Sequence, residues 1–301
     1  MKIRDLFNEK EFVYSFEIFP PRHDYPIETV YSTIEELSKL KPDYISVTYG
    51  AAGSIANNRT AEIANLIKDK YGIESLAHLT CIGSDKQKID NVLADLKEKK
   101  IDNILALRGD RPEDGSNIDR FEFINSQDII RYIKENSDFG IAAACYPEGH
   151  IESRDKNVDI EVLKRKEEFG TDYFISQLFL DNNYFYDFLD KAEQKGIKAP
   201  IQAGIMPVIN KRQIEKITSL CGATLPKKFI KIIDKYEHDK DALRDAGIAY
   251  ALEQIVDLIS SGVRGVHLYT MNNPYIAKRI NENMDCILSS VRKESKVASL
   301  G

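Results

Sequence analysis

Hydrogen-bonding and ionisable side chains recur along this chain at one kind of place, directly behind a short apolar, β-branched run. Glu17 stands near the end of the first such run. Thr48 and Tyr49 follow the second, with Gly50, Ala51, Ala52 and Gly53 behind them. His78 and Thr80 close the third, Arg108-Gly109-Asp110 the fourth, and the 146–150 loop, from Tyr146 to His150, the fifth. Gln177 ends the sixth, and Tyr269-Thr270-Met271-Asn272 the last. Carboxylates and imidazoles can move protons, while carboxamides, hydroxyls and guanidinium groups can hold a polar ligand. Each also has a plainer reading. Glu17 could be an exposed acid on an edge strand, and Asp110 could cap a turn. Lys164-Arg165-Lys166 could be a solvated helix face, although its place near the 146–150 loop also suits a phosphate or pyrophosphate.

Several chemistries are disfavoured. The five histidines show neither H-x-x-E-H nor H-E-x-x-H spacing, so a metal shared by His78 and His150 has little support and no metal site is expected. His23, His238 and His267 read as loop, surface and core residues. The Gly-rich stretch 49–53 is not G-x-G-x-x-G, and there is no P-loop, which counts against a Rossmann-type nucleotide site. A G-x-S-x-G nucleophile elbow is also missing. Cys81, Cys145, Cys221 and Cys286 lie far apart with no C-x-x-C, which fits a reducing, cytoplasmic setting.

The elements that must position these groups follow from periodicity. In the run 13–19, Tyr14, Phe16 and Ile18 share one face, and Val13, Ser15, Glu17 and Phe19 the other. The bulky face suits packing under helices, and Pro20-Pro21 ends the strand. Further strands are predicted at 44–48, 75–79, 103–107, 141–144, 173–177, 201–205 and 265–269. Helices are predicted at about 27–40, 59–70, 127–135, 159–169, 184–195 and 275–291, with another around Ile89 to Leu96. Two or three helical pieces fill 211–261. Strands alternating with helices imply a parallel sheet with crossover helices. At this length, with no linker, one α/β domain over 1–301 is the economical solution: a (β/α)8 TIM barrel with extra helices before the eighth strand. In such a barrel the C-terminal ends of the strands share one face, and the residues above converge there.

Composition narrows the partners. The chain is 43% hydrophobic and 30% charged with a net charge of -6, and no dense Lys/Arg tract is present, which argues against nucleic acid and anionic membrane. The N-terminal stretch lacks an apolar signal core, and no run is long enough to span a bilayer, so a soluble cytoplasmic protein is expected.

Seven stretches closely resemble methylenetetrahydrofolate reductase, in that family's order: SFEIFPPR at 15–22, SVTYGA at 46–51, HLTC at 78–81, LRGD at 107–110, YPEGH at 146–150, LKRK at 163–166 and LYTMN at 268–272. The length resembles the bacterial form, which has the catalytic domain without the C-terminal regulatory domain. The resemblance implies a (β/α)8 flavoprotein holding FAD non-covalently. It implies reduction of 5,10-methylenetetrahydrofolate to 5-methyltetrahydrofolate in ping-pong order. NADH or NADPH as co-substrate reduces FAD and leaves, and the folate then enters the same pocket and takes hydride from flavin N5. A protein electron donor is an alternative to the nicotinamide dinucleotide. Family members are commonly homo-oligomers, so a dimer or tetramer is implied.

The resemblance also assigns roles. Opening the methylene bridge needs protonation of a poor leaving amine, and Glu17 matches the family's general acid. Its flanking phenylalanines are expected to raise its pKa. Asp110 matches the carboxylate near pterin and flavin, and Gln177 suits a pterin edge. Thr48, Tyr49, Ala51, His78, Arg108, Gly109, Ser126, Tyr146 and His150 match the flavin site, with Asp110 beside it and Thr48 also close to substrate. Asp159 would hold a ribose hydroxyl, and Arg165 and Lys166 would sit at the nucleotide end. The chain departs from the bacterial pattern twice. Lys211 stands where that pattern has Phe, and Asn273 where it has Arg. Both are expected at the substrate, with Lys211 supplying the charge toward the folate tail. The competing readings are another FAD-dependent barrel oxidoreductase resembling proline dehydrogenase, and a non-catalytic flavin- or folate-binding subunit.

Overall fold

The computed structural model describes residues 1–21, 26–49, 59–110, 121–153 and 155–291. Eight parallel strands close into a barrel in chain order: β1 (Val13–Ile18), β2 (Tyr44–Val47), β3 (Glu74–Thr80), β4 (Asn103–Leu107), β5 (Gly140–Cys145), β6 (Tyr173–Ser176), β7 (Ile201–Ile205) and β8 (Gly265–Tyr269). β8 pairs with β1, setting Ser15 beside His267 and Glu17 beside Tyr269. The helices are α1 (Ile3–Glu9), α2 (Glu28–Ser38), α3 (Thr60–Tyr71), α4 (Lys86–Glu98), α5 (Ser126–Asn136), α6 (Lys156–Glu168), α7 (Asn182–Gln194), α8 (Lys211–Cys221), α9 (Lys227–Tyr236), α10 (Lys240–Ser260) and α11 (Pro274–Val291). The (β/α)8 barrel with extra helices before the eighth strand is therefore the observed fold. Among the described residues no helix is long and apolar enough to cross a membrane.

The alternation read from the first strand organises the whole barrel. Tyr14, Phe16 and Ile18 join the core between strands and helices, with Ile34, Leu37, Ile276 and Ile280. Val13 points inward and packs with Tyr44, Leu76, Leu105 and Tyr173. Below them α1 closes the barrel floor with Ile3, Leu6 and Phe7, and the Phe7 and Tyr173 rings lie 5.1 Å apart. This helix is absent from the sequence reading, because seven residues are too few to display a helical period. A third cluster joins Met206, Val208, Ile214, Phe229, Ile233 and Leu243 and seats α8, α9 and α10 beside the mouth.

Strand ends shift where side chains take over the backbone. β1 stops at Ile18, one residue before the predicted end, because the Asn272 carboxamide bonds both the N–H and the carbonyl of Phe19, at 2.9 and 2.8 Å. α6 starts three residues early because Asp155 caps it, accepting from the Asn157 amide at 2.6 Å.

Candidate active site

Two neighbourhoods form on the face where the strands end. The first is axial. Inward alternation on β1 and β8 brings Ser15, Glu17 and His267 together, and β2 and β3 add Ser46 and His78. Glu17 Oε2 lies 3.5 Å from Nε2 of both His78 and His267. His267 Nδ1 is 2.7 Å from Ser15 Oγ, and its Nε2 is 3.3 Å from Ser46 Oγ. Ser15, Ser46 and His267 have no exposed surface. The Glu17 carboxylate is one-fifth exposed, so it is the member of the group that meets the mouth.

The balance of forces on Glu17 corrects the expectation. Burial pushes its pKa upward and is the largest single influence. The hydrogen bond with His267, the electrostatic pull of the His78 and His267 imidazoles and the Ser46 hydroxyl together outweigh it and hold the group below its ordinary value. The neighbours that set its state are thus two histidines and a serine; Phe16 faces the other way, into the helix layer, and Phe19 is exposed. His78 is pushed down to about 4 by burial, with Glu17 opposing and His267 assisting. Its Nε2 makes no hydrogen bond, although it is buried.

The second neighbourhood is a cleft of about 580 Å³ beyond the ends of β4 and β5, walled by α5 and α6. Arg108, Gly109 and Asp110 enter it from β4. Ser126 and its neighbour Asn125 face it from the start of α5, Tyr146 and His150 from the loop after β5, and Asp159 and Lys166 from α6. Gly109 has φ +91 and its missing Cβ would meet Thr80 Cβ at 3.0 Å, so glycine is what lets β4 turn here. Asn125 and Asp128 form a reciprocal capping box that fixes the α5 N-terminus at the cleft. Lys166 is 6% exposed, donates to the Ala144 carbonyl at 2.8 Å, and is lowered to about 8 by burial against the pull of Cys145 and Asp159. Asp159 accepts the His150 amide at 2.8 Å, and the Tyr146 and His150 rings meet edge to face at 4.7 Å.

Other expected residues stand elsewhere. Ala51 lies outside the described residues. Thr48 and Tyr49 are half-buried at the end of β2, where Thr48 O accepts from the Thr60 hydroxyl at 2.8 Å, and neither lines the cleft. His78 faces Glu17 and not the cleft. Arg165 is exposed and outside the cleft, because the helical step from Lys166 turns it away. Gln177 follows β6 half-buried, with its Oε1 already accepting the Leu178 amide at 2.8 Å. Lys211 is spent on an ion cluster, 2.9 Å from Asp234 and 2.7 Å from Glu237, which leaves no unbalanced charge for a folate tail. Asn273 is half-buried ahead of α11, and the strap on Phe19 comes from its neighbour Asn272.

Three neighbours of the expected site residues are not found by the sequence reading. His267, which reads as a core residue in the sequence, shares with Gly265 and Tyr269 the inward face of β8, a period-two signal that the run already contains. Ser46 has the same phase on β2. Glu152 lines the cleft and grips Arg108 with both oxygens, at 2.7 and 3.0 Å. It sits in a loop, where no period exists to find it.

Comparison with known proteins bears on this arrangement. The family model for methylenetetrahydrofolate reductase matches residues 2–285. The 5,10-methylenetetrahydrofolate reductase of Pectobacterium carotovorum subsp. carotovorum is 35% identical over 266 residues, covering 88% of this chain and 88% of that protein. Its namesake in Escherichia coli (strain K12) is 34% identical over 258 residues, 86% of each chain. Methylenetetrahydrofolate reductase (NADH) 1 of Zea mays is 32% identical over 310 residues, 99% of this chain but 51% of the maize protein, so the chain spans about half of that relative. Among solved structures, an uncharacterized protein from Clostridium thermocellum that binds two copies of 5-methyl-5,6,7,8-tetrahydrofolic acid superposes with a TM-score of 0.64. At 14% identity, covering 94% of this chain and all of that one, it shares the fold.

Proposed function

The chain belongs to the methylenetetrahydrofolate reductase family and is an oxidoreductase of folate one-carbon chemistry; from that premise we propose that it reduces 5,10-methylenetetrahydrofolate to 5-methyltetrahydrofolate in two half-reactions, through non-covalent FAD and a nicotinamide donor. The observation that carries the proposal is Glu17, the one carboxylate of the axial group, reaching the mouth between two imidazoles.

The cleft residues fit the flavin. Lys166, Arg108 and the capped start of α5 supply positive charge and N–H donors for a pyrophosphate, the Tyr146 ring offers a flat wall, and Asp159 can accept from a ribose hydroxyl. Glu152 opposes an anion there, so Arg108 must exchange this carboxylate for the cofactor. FAD, when bound, carries the hydride. Everything else falls to the chain. Asp110, exposed at the rim, can accept from the amino and ring N–H groups of a pterin. Glu17 delivers the proton that opens the methylene bridge. At rest it is held as a carboxylate. A folate covering the mouth strengthens burial, the one influence that raises its pKa, and favours the protonated form when it is needed.

The test is anaerobic. Protein loaded with FAD is reduced chemically and mixed with 5,10-methylenetetrahydrofolate while the flavin's blue absorption is followed. Return of the absorption with 5-methyltetrahydrofolate formed supports the proposal, and reduced flavin indifferent to the folate would sink it. Glu17→Gln should slow this half-reaction at least about 100-fold, as loss of a general acid does, while reduction by the nicotinamide donor keeps its rate.

A further inference from the structure

The polar chain beneath Glu17 runs deeper than the acid's own contacts. Gln202 on β7 and Tyr44 on β2 are fully buried, and the Tyr44 hydroxyl donates to Gln202 Oε1 at 2.5 Å. The direction of the carboxamide is fixed from its other end too. Nε2 faces the carbonyls of Val13 and Val266, each 3.1 Å away, and carbonyls only accept. Gly265 makes room for this, since a Cβ there would meet Val13 O at 2.4 Å and Gln202 Cγ at 3.1 Å. The same Nε2 lies 2.9 Å from Ser15 Oγ.

Ser15 has one proton to give, and an amide nitrogen cannot take it. The two protons of Nε2 are shared among these three acceptors, Ser15 Oγ the nearest of them, and Ser15 turns its own proton to His267 Nδ1, the shorter of its two contacts at 2.7 Å. With Nδ1 accepting, neutral His267 carries its proton on Nε2, the nitrogen that faces Glu17. We infer that Gln202, anchored by Tyr44, is a positioning residue that sets the Nε2–H tautomer of His267 and so keeps a donor, never a base, aimed at Glu17. The consequence is directional. An Nε2 without a proton would compete for the proton of Glu17, whereas an Nε2–H removes His267 as a competitor for it. This rests on reading Glu17 as the proton donor.

The other titratable side chains around the pair are His78 on β3, Tyr44 on β2, Tyr173 on β6 and Tyr269 on β8. Burial raises the three phenols and lowers His78 to about 4, so all four are neutral near pH 7.

The experiment is NMR of histidine-selectively ¹⁵N-labelled protein near neutral pH, where two-bond couplings report which ring nitrogen holds the proton. The His267 signal is assigned by exclusion from single replacements of the other four histidines. Wild type should show Nε2–H at His267. Gln202→Met should move population to Nδ1–H and raise the apparent pKa of the folate half-reaction by about one unit, tenfold in proton affinity. Tyr44→Phe should keep the tautomer, because two carbonyls still hold Nε2. An Nδ1–H or doubly protonated His267 in the wild type overturns the inference and needs no variant that must fold. An unchanged tautomer in Gln202→Met overturns it as well. A tautomer that switches while the pH profile stays put removes Gln202 from the reaction. Glu17→Gln tests separately the reading on which the inference rests.

Discussion

Among the side chains held far from their ordinary proton affinities, His78 and Lys166 each have a measurable cost or use. His78 is held near 4 in the fold against 6.5 for a free imidazole. The sign follows directly. Above pH 6.5 both folded and unfolded chains leave it neutral. Between 6.5 and 4 the unfolded chain takes up a proton that the folded one refuses, so stability falls as pH falls. The loss should reach roughly 3 kcal/mol over that window, at about 1.4 kcal/mol per unit. Denaturant titrations at pH 7 and pH 4.5 should show it, and His78→Asn should show a smaller difference. Lys166, lowered to about 8, is mostly cationic at neutral pH and loses that charge as pH rises through its pKa. Lys166→Met should raise the FAD dissociation constant about tenfold to a hundredfold, the worth of one charge-assisted hydrogen bond, as read by ultrafiltration and flavin absorbance. Wild-type retention of FAD should weaken above pH 8.

At the scale of elements, the cleft depends on where α5 begins. Asn125 accepts from the Gln127 and Asp128 amides, while Asp128 accepts from the Asn125 amide. Asn125→Ala should cost about 1 kcal/mol and loosen FAD, because the helix start that carries Ser126 frays. Calorimetry and flavin titration on the same variant would separate the two effects. These element ends also show what the sequence could reveal. Period-two alternation on the first strand was enough to turn Glu17 inward and Tyr14, Phe16 and Ile18 outward. The same rule applied to Gly265, His267 and Tyr269 would have turned His267 inward, but a histidine in an apolar run reads as core until β8 is known to lie beside β1. On α6, the choice between Arg165 and Lys166 needs the face that packs on the barrel. That helix has too weak an apolar stripe to declare one. Glu152 and α1 were illegible for simpler reasons, one lying in a loop and the other being seven residues long.

At the scale of the whole molecule, stability and chemistry occupy opposite ends of the barrel. Phe7 is 3% exposed on the floor, against Tyr173. Phe7→Ala should remove about 3–5 kcal/mol of stability through the cavity it leaves. Flavin binding and the folate half-reaction, measured well below the melting temperature, should stay close to wild type. A comparable loss of activity at low temperature would mean that the floor and the mouth are coupled.

The seam between β1 and β8 has a consequence for how the protein is made. Ser15 and His267 touch although 252 residues separate them. At about 5–20 residues per second, a ribosome delivers the second roughly 12–50 s after the first. Throughout that interval the nascent chain carries its acid without the histidine that governs it. A chain released before β8 is made lacks His267 and cannot hold Glu17 in working order. Premature termination should therefore yield inert protein, never an enzyme with a stray proton donor.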